Sequence, residues 1–119
     1  MNSENLLERL VCFGARCIAA AQALPKSDIG RHVSLQLMRS ATSAGANYSE
    51  GCGAESKRDF GHKLKISVKE LREADYWLRL IEEAEMLPAE RLRDLRKEND
   101  ELIAISVASI KMSGSRDSR

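Results

Sequence analysis

Six side chains that can contact a phosphate chain share one face of a helix predicted over residues 56–86. At 100° per residue they fall in a sector about 80° wide. They are Arg58, Lys65, Lys69, Arg72, Tyr76 and Arg79, at spacings of 7, 4, 3, 4 and 3 residues. A row of cations attracts a polyanion, because each neutralised phosphate releases counterions, and a tyrosine can stack on a base. This basic row therefore predicts a nucleic-acid contact, with RNA as the expected polyanion.

The basic row also has a plainer interpretation as a solvated helix face. Pairing with Glu50, with Glu55 or with acids of the next helix would neutralise it. The order of charges along the helix favours an external contact instead. Residues 57–69 hold five Lys or Arg and one acid, whereas residues 70–85 hold two Arg and six acids. This order opposes the helix macrodipole, so we expect a neighbouring subunit or an RNA phosphate chain to compensate for it.

The chain as a whole is nearly neutral. Its 119 residues carry a net charge of +1, so any contact with nucleic acid must be local rather than driven by a global field. Three cysteines without a Cys-x-x-Cys pair predict reduced thiols, not a disulfide framework or a zinc site. Charges interrupt the first apolar stretch, and no apolar run reaches the roughly 18 residues of a membrane span. We therefore expect a cytoplasmic protein with no membrane partner.

Catalytic and metal-binding chemistry finds little support in the sequence. His32 and His62 lie on different predicted helices without partner ligands. The Gly-Cys-Gly segment at residues 51–53 lacks the longer glycine pattern of a phosphate loop, and Cys52 has no base at a recognisable spacing. We predict that the protein is not an enzyme and has neither a cofactor nor a metal site.

Apolar residues repeat at helical spacing along the chain, and strict alternation is absent. Serine caps and the two prolines mark the helix boundaries. The pattern predicts four helices, at about residues 3–24, 29–51, 56–86 and 89–112, with Ser3, Ser27 or Asp28, and Ser56 as caps. Short joints predict an all-α fold, an antiparallel up-down-up-down four-helix bundle. The domain is expected to span residues 1–112, followed by a disordered polar tail at 113–119.

The third predicted helix is apolar on two opposite faces. One stripe suits the core of the bundle and consists of Phe60, Leu64, Val68, Leu71, Ala74 and Leu78. The second stripe contains Ile66, Trp77, Leu80 and Ala84. A small bundle needs one buried stripe per helix, so we predict that the second one forms an oligomer interface. The last helix, apolar nearly all round from residue 102 to 112, supports the same prediction.

The second predicted helix carries polar side chains among small ones. Residues 40–51 are rich in Ser, Ala and Gly, which allow another helix to approach closely. We predict a buried polar network that fixes the helix register, with Arg39 pairing with the carboxylate of Glu50. The predicted members are Arg39, Ser43, Asn47 and Glu50.

Three segments carry a recognisable pattern, at residues 39–51, 56–60 and 67–71. It resembles that of the four-helix-bundle proteins encoded in intervening sequences of the bacterial 23S ribosomal RNA gene. The matching positions are Arg39, Ser43, Asn47, Glu50, Gly51, Phe60, Ser67, Glu70 and Leu71. The resemblance implies an antiparallel bundle that assembles as a ring-shaped homopentamer. The accessory variability determinant of diversity-generating retroelements is similar, and it is a basic pentamer that binds nucleic acid.

Two functional classes remain open at this point. The first is an oligomeric accessory protein that contacts structured RNA through backbone charge. The second is an oligomeric scaffold that binds a protein partner, or only itself, without nucleic acid. Whether the cations of the basic row share one exposed surface distinguishes the two classes.

Overall fold

Four α-helices account for nearly all of the chain in this structure, a computed structural model. It describes residues 3–117, with side chains described for residues 5–112. The helices are α1 (Ser3–Gln22), α2 (Asp28–Cys52), α3 (Lys57–Glu83) and α4 (Ala89–Asp117). No strand occurs within residues 3–117, which confirms the all-α fold and the number of helices. None of these helices combines the length and apolarity that crossing a bilayer requires.

The helices pack in a closed cycle around one core. Among the described residues each helix lies next to two others: α1 lies next to α2 and α4, α3 also lies next to α2 and α4, and α1 and α3 are diagonal across the shared core. The predicted core stripe of α3 is confirmed, since its Leu64, Leu71, Ala74 and Leu78 are completely buried. Phe60, at the start of the stripe, is half-buried and packs against the core.

The helix starts follow the predicted caps. The Ser27 hydroxyl accepts a hydrogen bond from the Gly30 amide at 3.1 Å and caps α2. The Ser56 hydroxyl does the same for the Asp59 amide, also at 3.1 Å, and caps α3. Both bonds satisfy amides that a first helical turn leaves without a partner. By contrast, α1 includes Ser3 as its first residue rather than beginning after it.

Two helix ends differ from the predictions by three residues or more, and α1 ends at Gln22, two residues early. α3 ends at Glu83, three residues early, because the chain turns at Glu85, whose φ of 56° lies in the left-handed region. α4 ends at Asp117, five residues late. Residues 113–117 of the predicted disordered tail therefore belong to the helix, and residues 118 and 119 lie outside the described part of the chain.

Small residues of α2 let its neighbours approach closely, as predicted. A Cβ atom added at Gly45 would lie 3.6 Å from the Cβ of Leu10 on α1. On the other side, the buried Ser67 hydroxyl of α3 donates to the carbonyl oxygen of Ala44 at 2.7 Å. α2 is thus held helical by tight packing on both sides, which compensates for the weak helix propensity of its Ser and Gly residues.

The three thiols have different environments, which leads to a first prediction. Cys17 is completely buried, and burial raises the pKa of its thiol to about 12, whereas Cys12 and Cys52 are exposed. Because the thiolate is the reactive form, we expect two thiols to react with an aromatic disulfide reagent at pH 8. The third should react only after unfolding in guanidinium. Absorbance of the released thiolate measures this, and three fast thiols in native protein would contradict the packing of α1.

Candidate nucleic-acid interface

All six side chains of the basic row are exposed on α3. Within the described part of the chain, none of its five cations lies within 4.0 Å of a carboxylate oxygen. The pairing with Glu50, with Glu55 or with acids of α4 that the plainer interpretation proposed is therefore not observed among the described residues. Glu50 instead binds Lys63, an α3 cation outside the row, with an Nζ–Oε1 distance of 2.8 Å. The row therefore forms an exposed cationic surface.

The row is exposed because the other faces of α3 contact neighbouring helices. Glu70 and Glu73 face α2, where both bind the guanidinium of Arg39. On the opposite flank, Glu82 binds Arg96 of α4, with an Nη1–Oε1 distance of 2.9 Å. The basic row lies between these flanks, on the side of α3 that points away from the core.

The C-terminal end of the row borders a groove between α3 and α4. The groove has a volume of about 690 Å³, and its lining includes Arg72, Tyr76 and Arg79 of the row together with Arg96 of α4. Three carboxylates, those of Asp75, Glu82 and Glu83, also line it. A site with both signs of charge can bind a phosphate and also accept hydrogen bonds from amino groups of a ligand.

Arg96 is a groove residue that sequence reasoning missed. Its Nη1 binds Glu82, while its Nε is buried without a hydrogen-bond partner. The sequence shows it only as one cation in the mixed-charge first half of α4. Its place in the groove depends on the packing of α4 against α3, which helical periodicity does not specify.

Three aromatic rings form a continuous cluster beside the row. Trp77 meets His32 of α2 edge to face, with ring centroids 5.8 Å apart. It meets Tyr76 in the same way at 4.9 Å. The Nε1 of Trp77 donates to Glu73 at 3.2 Å, so the indole is fixed between α2 and α3. The Tyr76 ring thereby contacts a half-buried indole that is itself hydrogen-bonded, while 56% of the Tyr76 residue surface stays exposed.

The predicted oligomer interface is partly covered by the chain itself. Ile66, Trp77 and Leu80 are half-buried, and Ala84 is exposed at the C-cap of α3. Trp77 packs against the core as well as against His32. The second stripe of α3 is therefore less open than its periodicity suggests, because α2 covers its edge.

A more exposed apolar surface lies between α1 and α2. It surrounds a groove of about 280 Å³ whose lining includes Ile18, Leu35 and Met38, with Lys26 and Arg31 nearby. Leu35 is 59% exposed. Sequence reasoning missed this groove, although a signal was present. Leu35 and Met38 are large apolar residues that lie off the buried stripe of α2.

The predicted polar network of α2 is wrong. Arg39 binds Glu70 at 3.4 Å and also Glu73, both on α3, and Glu50 is exposed and binds Lys63. Residues 39 and 50 are 11 positions apart, about 16 Å along the helix axis, so their side chains cannot meet. Glu50 therefore lacks the buried partner that would make its replacement by Gln costly.

The two remaining members of the predicted network interact only locally. The Nδ2 of Asn47 donates to the carbonyl oxygen of Ser43 at 2.9 Å, one turn earlier in α2. Asn47 and Ser43 are both half-buried. Among the described residues no side-chain hydrogen bond joins either of them to Arg39 or Glu50, so no four-residue network forms.

The Arg39 pair has an electrostatic consequence. Hydrogen bonds donated by Arg39, and then by Trp77, hold the pKa of Glu73 below its ordinary value. Glu73 is therefore a carboxylate at neutral pH and joins α2, through Arg39, to the aromatic cluster on α3.

The completely buried polar side chains lie elsewhere, on α2, α3 and α4. They are Ser40, Ser67, Asn99 and Ser106. Asn99 crosses from α4 to α3, where its Nδ2 donates to the carbonyl oxygen of Leu71 at 3.0 Å. Its Oδ1 has no partner. No three His, Cys, Asp or Glu side chains among the described residues converge on a site that would hold a metal ion.

Comparison with known proteins agrees with this architecture. Residues 8–108 match the family described as 23S rRNA-intervening sequence protein. The chain belongs to this family. Among solved structures, it is similar to a protein of unknown function from the S23 ribosomal protein family of Bacteroides thetaiotaomicron, with 30% identity and a TM-score of 0.84. That alignment covers 89% of this chain and 98% of the other. A search of curated proteins finds no match.

Proposed function

We propose that this member of the 23S rRNA-intervening sequence family is an oligomeric accessory protein that binds RNA through the basic row of α3. The observation that carries the proposal is the set of five exposed cations on one helix face, none within ion-pair distance of a described carboxylate. Such a surface gains counterion-release energy from any phosphate chain, whatever its sequence. The proposal includes no catalytic step and no cofactor.

We also propose the antiparallel up-down topology for the bundle. Pairs of contacting residues on α2 and α3 support it, because the α3 number falls as the α2 number rises. Arg39 contacts Glu73, Ala44 contacts Ser67, and Glu50 contacts Lys63. On α1 and α2, Leu10 lies near Gly45, and Gly14 lies near Ala41.

Self-association is the second part of the proposal, and the resemblance to the family favours a pentamer. The exposed apolar groove between α1 and α2 and the half-buried Trp77 supply surface for a subunit contact. In a ring, every subunit repeats the basic row, so weak phosphate contacts add through multivalency. The same α1–α2 groove favours the alternative, a scaffold that binds only itself or a protein partner.

The test of RNA binding reverses two cations in the middle of the row, Lys65→Glu with Lys69→Glu. Each phosphate contact to a single strand contributes about 0.7 to the salt slope. Five contacts therefore predict a log–log slope of about −3.5 for wild type. The double reversal should remove most binding at about 50 mM salt and make the slope shallower by about 1.4. Filter binding with total cellular RNA measures both quantities.

The matched control reverses Arg16 and Arg91, which are exposed, without ion pairs in the described chain, and located on α1 and α4. It has the same net charge as the test variant and should bind as wild type does. Light scattering should show the same assembly for all three proteins. Absence of binding by wild type at low salt, or equal binding by the test variant, would favour the scaffold. A wild-type monomer at micromolar concentration would rule out self-association.

A further inference from the structure

Tyr76 differs from the other members of the basic row because it offers a ring instead of a charge. More than half of its surface is exposed, and the edge-to-face contact with Trp77 holds it in place. A fixed, exposed aromatic ring on a cationic surface is the arrangement by which proteins stack an unpaired base.

Two cations flank Tyr76 at positions where they can contact the phosphates of a nucleotide whose base stacks on the ring. Arg72 lies four residues before it and Arg79 three residues after it, about one helical turn away on either side. Neither is paired with a carboxylate among the described residues, and both line the α3–α4 groove. A base stacked on Tyr76 would therefore have a guanidinium on each side for its flanking phosphates.

The carboxylates that line the groove favour a base over a phosphate as its occupant. Asp75 and Glu83 line the groove without an ion pair in the described chain, and a phosphate at that position would be repelled. A carboxylate accepts hydrogen bonds from the amino group of a base, as Asp and Glu do with cytosine. In a duplex these amino groups are paired and the base faces are stacked, so only an unpaired base can enter.

We propose that the α3–α4 groove binds one unpaired base of single-stranded RNA, stacked on Tyr76, with its flanking phosphates on Arg72 and Arg79. This inference rests on the proposed function and narrows it to single strands. The strand then runs along the remaining cations of the row towards Arg58, which lies about 27 Å from Tyr76 along the helix axis at 1.5 Å per residue.

The experiment compares Tyr76→Ala with Tyr76→Phe, which keeps the ring. The probe is an oligocytidylate of about 12 nucleotides, within the range of known single-strand site sizes, and the comparison ligand is an RNA duplex of equal length. Trp77 is the only tryptophan of the chain, so its emission reports binding next to Tyr76. We expect binding of the single strand to be about tenfold weaker in Tyr76→Ala. Tyr76→Phe should bind as wild type does.

The salt dependence separates stacking from phosphate contact. Tyr76→Ala should keep the wild-type salt slope, because it removes no cation, whereas the Lys65 and Lys69 reversal should make the slope shallower. Unchanged affinity in Tyr76→Ala, or duplex binding as tight as single-strand binding, would overturn this inference. If the Lys reversal still abolished binding in that case, the proposed function would stand. If wild type bound neither ligand, both would fall.

Discussion

Replacing Asn99 by Asp is expected to lower the free energy of unfolding by about 4 kcal/mol at neutral pH. The side chain is completely buried, and its Nδ2 donates to the carbonyl oxygen of Leu71. An aspartate would place a carboxylate oxygen against that carbonyl oxygen. Its other oxygen would occupy the position where Oδ1 already lacks a donor. Burial of a charge without a partner is among the most costly single changes in a core.

The destabilisation by Asn99→Asp should also depend on pH in a predictable direction. Burial raises the pKa of such a carboxyl above its unfolded value of about 3.9. A group whose pKa is higher in the folded state contributes its full stabilisation at a pH below its unfolded pKa. That contribution is lost as the pH rises through its folded pKa. The variant should therefore be closest to wild type below pH 4 and weaken towards pH 7, as urea unfolding would measure.

Asn99→Leu is the matched control, because it has a similar volume and no polar atom. Its free energy of unfolding should be close to that of wild type, since the Leu71 carbonyl oxygen can still accept its own helical hydrogen bond. A stable Asn99→Asp variant without pH dependence would mean that a cation, such as Arg96 about one turn earlier on α4, turns to pair with the new carboxylate.

Gly30→Ala is expected to destabilise the protein by about 3 kcal/mol, at the upper end of the cost of overpacking. A Cβ atom at this position would lie 1.9 Å from the carbonyl oxygen of Pro25 and 2.9 Å from its carbonyl carbon. These are backbone atoms, so the connection between α1 and α2 has to move. The same first turn holds the cap between Ser27 and Gly30, which the movement would strain.

Gly14→Ala serves as the control for Gly30→Ala, because it makes the same change in the middle of α1. The nearest atom to an added Cβ is the carbonyl oxygen of Ala41 at 3.8 Å, an ordinary contact. Helix propensity should then stabilise this variant by about 0.8 kcal/mol. Thermal unfolding of both variants checks the pair. Equal stability of Gly30→Ala and wild type would show that the connection can relax at no cost.

Much of the fold follows from periodicity alone. The core stripe of α3 could be predicted because burial in a bundle repeats with the helical turn, and the caps at Ser27 and Ser56 follow from local chemistry. The network around Arg39 could not be predicted, because the partner of a long side chain depends on the register of the facing helix. Asn99 was missed for a related reason: in a stretch dense with charge it reads as a solvated residue.

The candidate site likewise has one part that the sequence predicts and another part that it does not. The basic row is a property of one helix, so its members could be identified from spacing, and their exposure agrees with that spacing. The groove requires Arg96 from α4, and the support of Tyr76 involves His32 from α2. Both contributions come from neighbouring helices, and a single-helix projection contains no information about them.

Because α1 and α3 lie diagonally across the shared core, their outer faces point to opposite sides of the described bundle. The apolar groove lies on the α1 side, between α1 and α2, whereas the basic row lies on α3. The proposed subunit contact at this groove and the proposed polyanion contact at the row would therefore use separate surfaces. A substitution in one surface, or its drift during evolution, would then leave the other proposed contact intact.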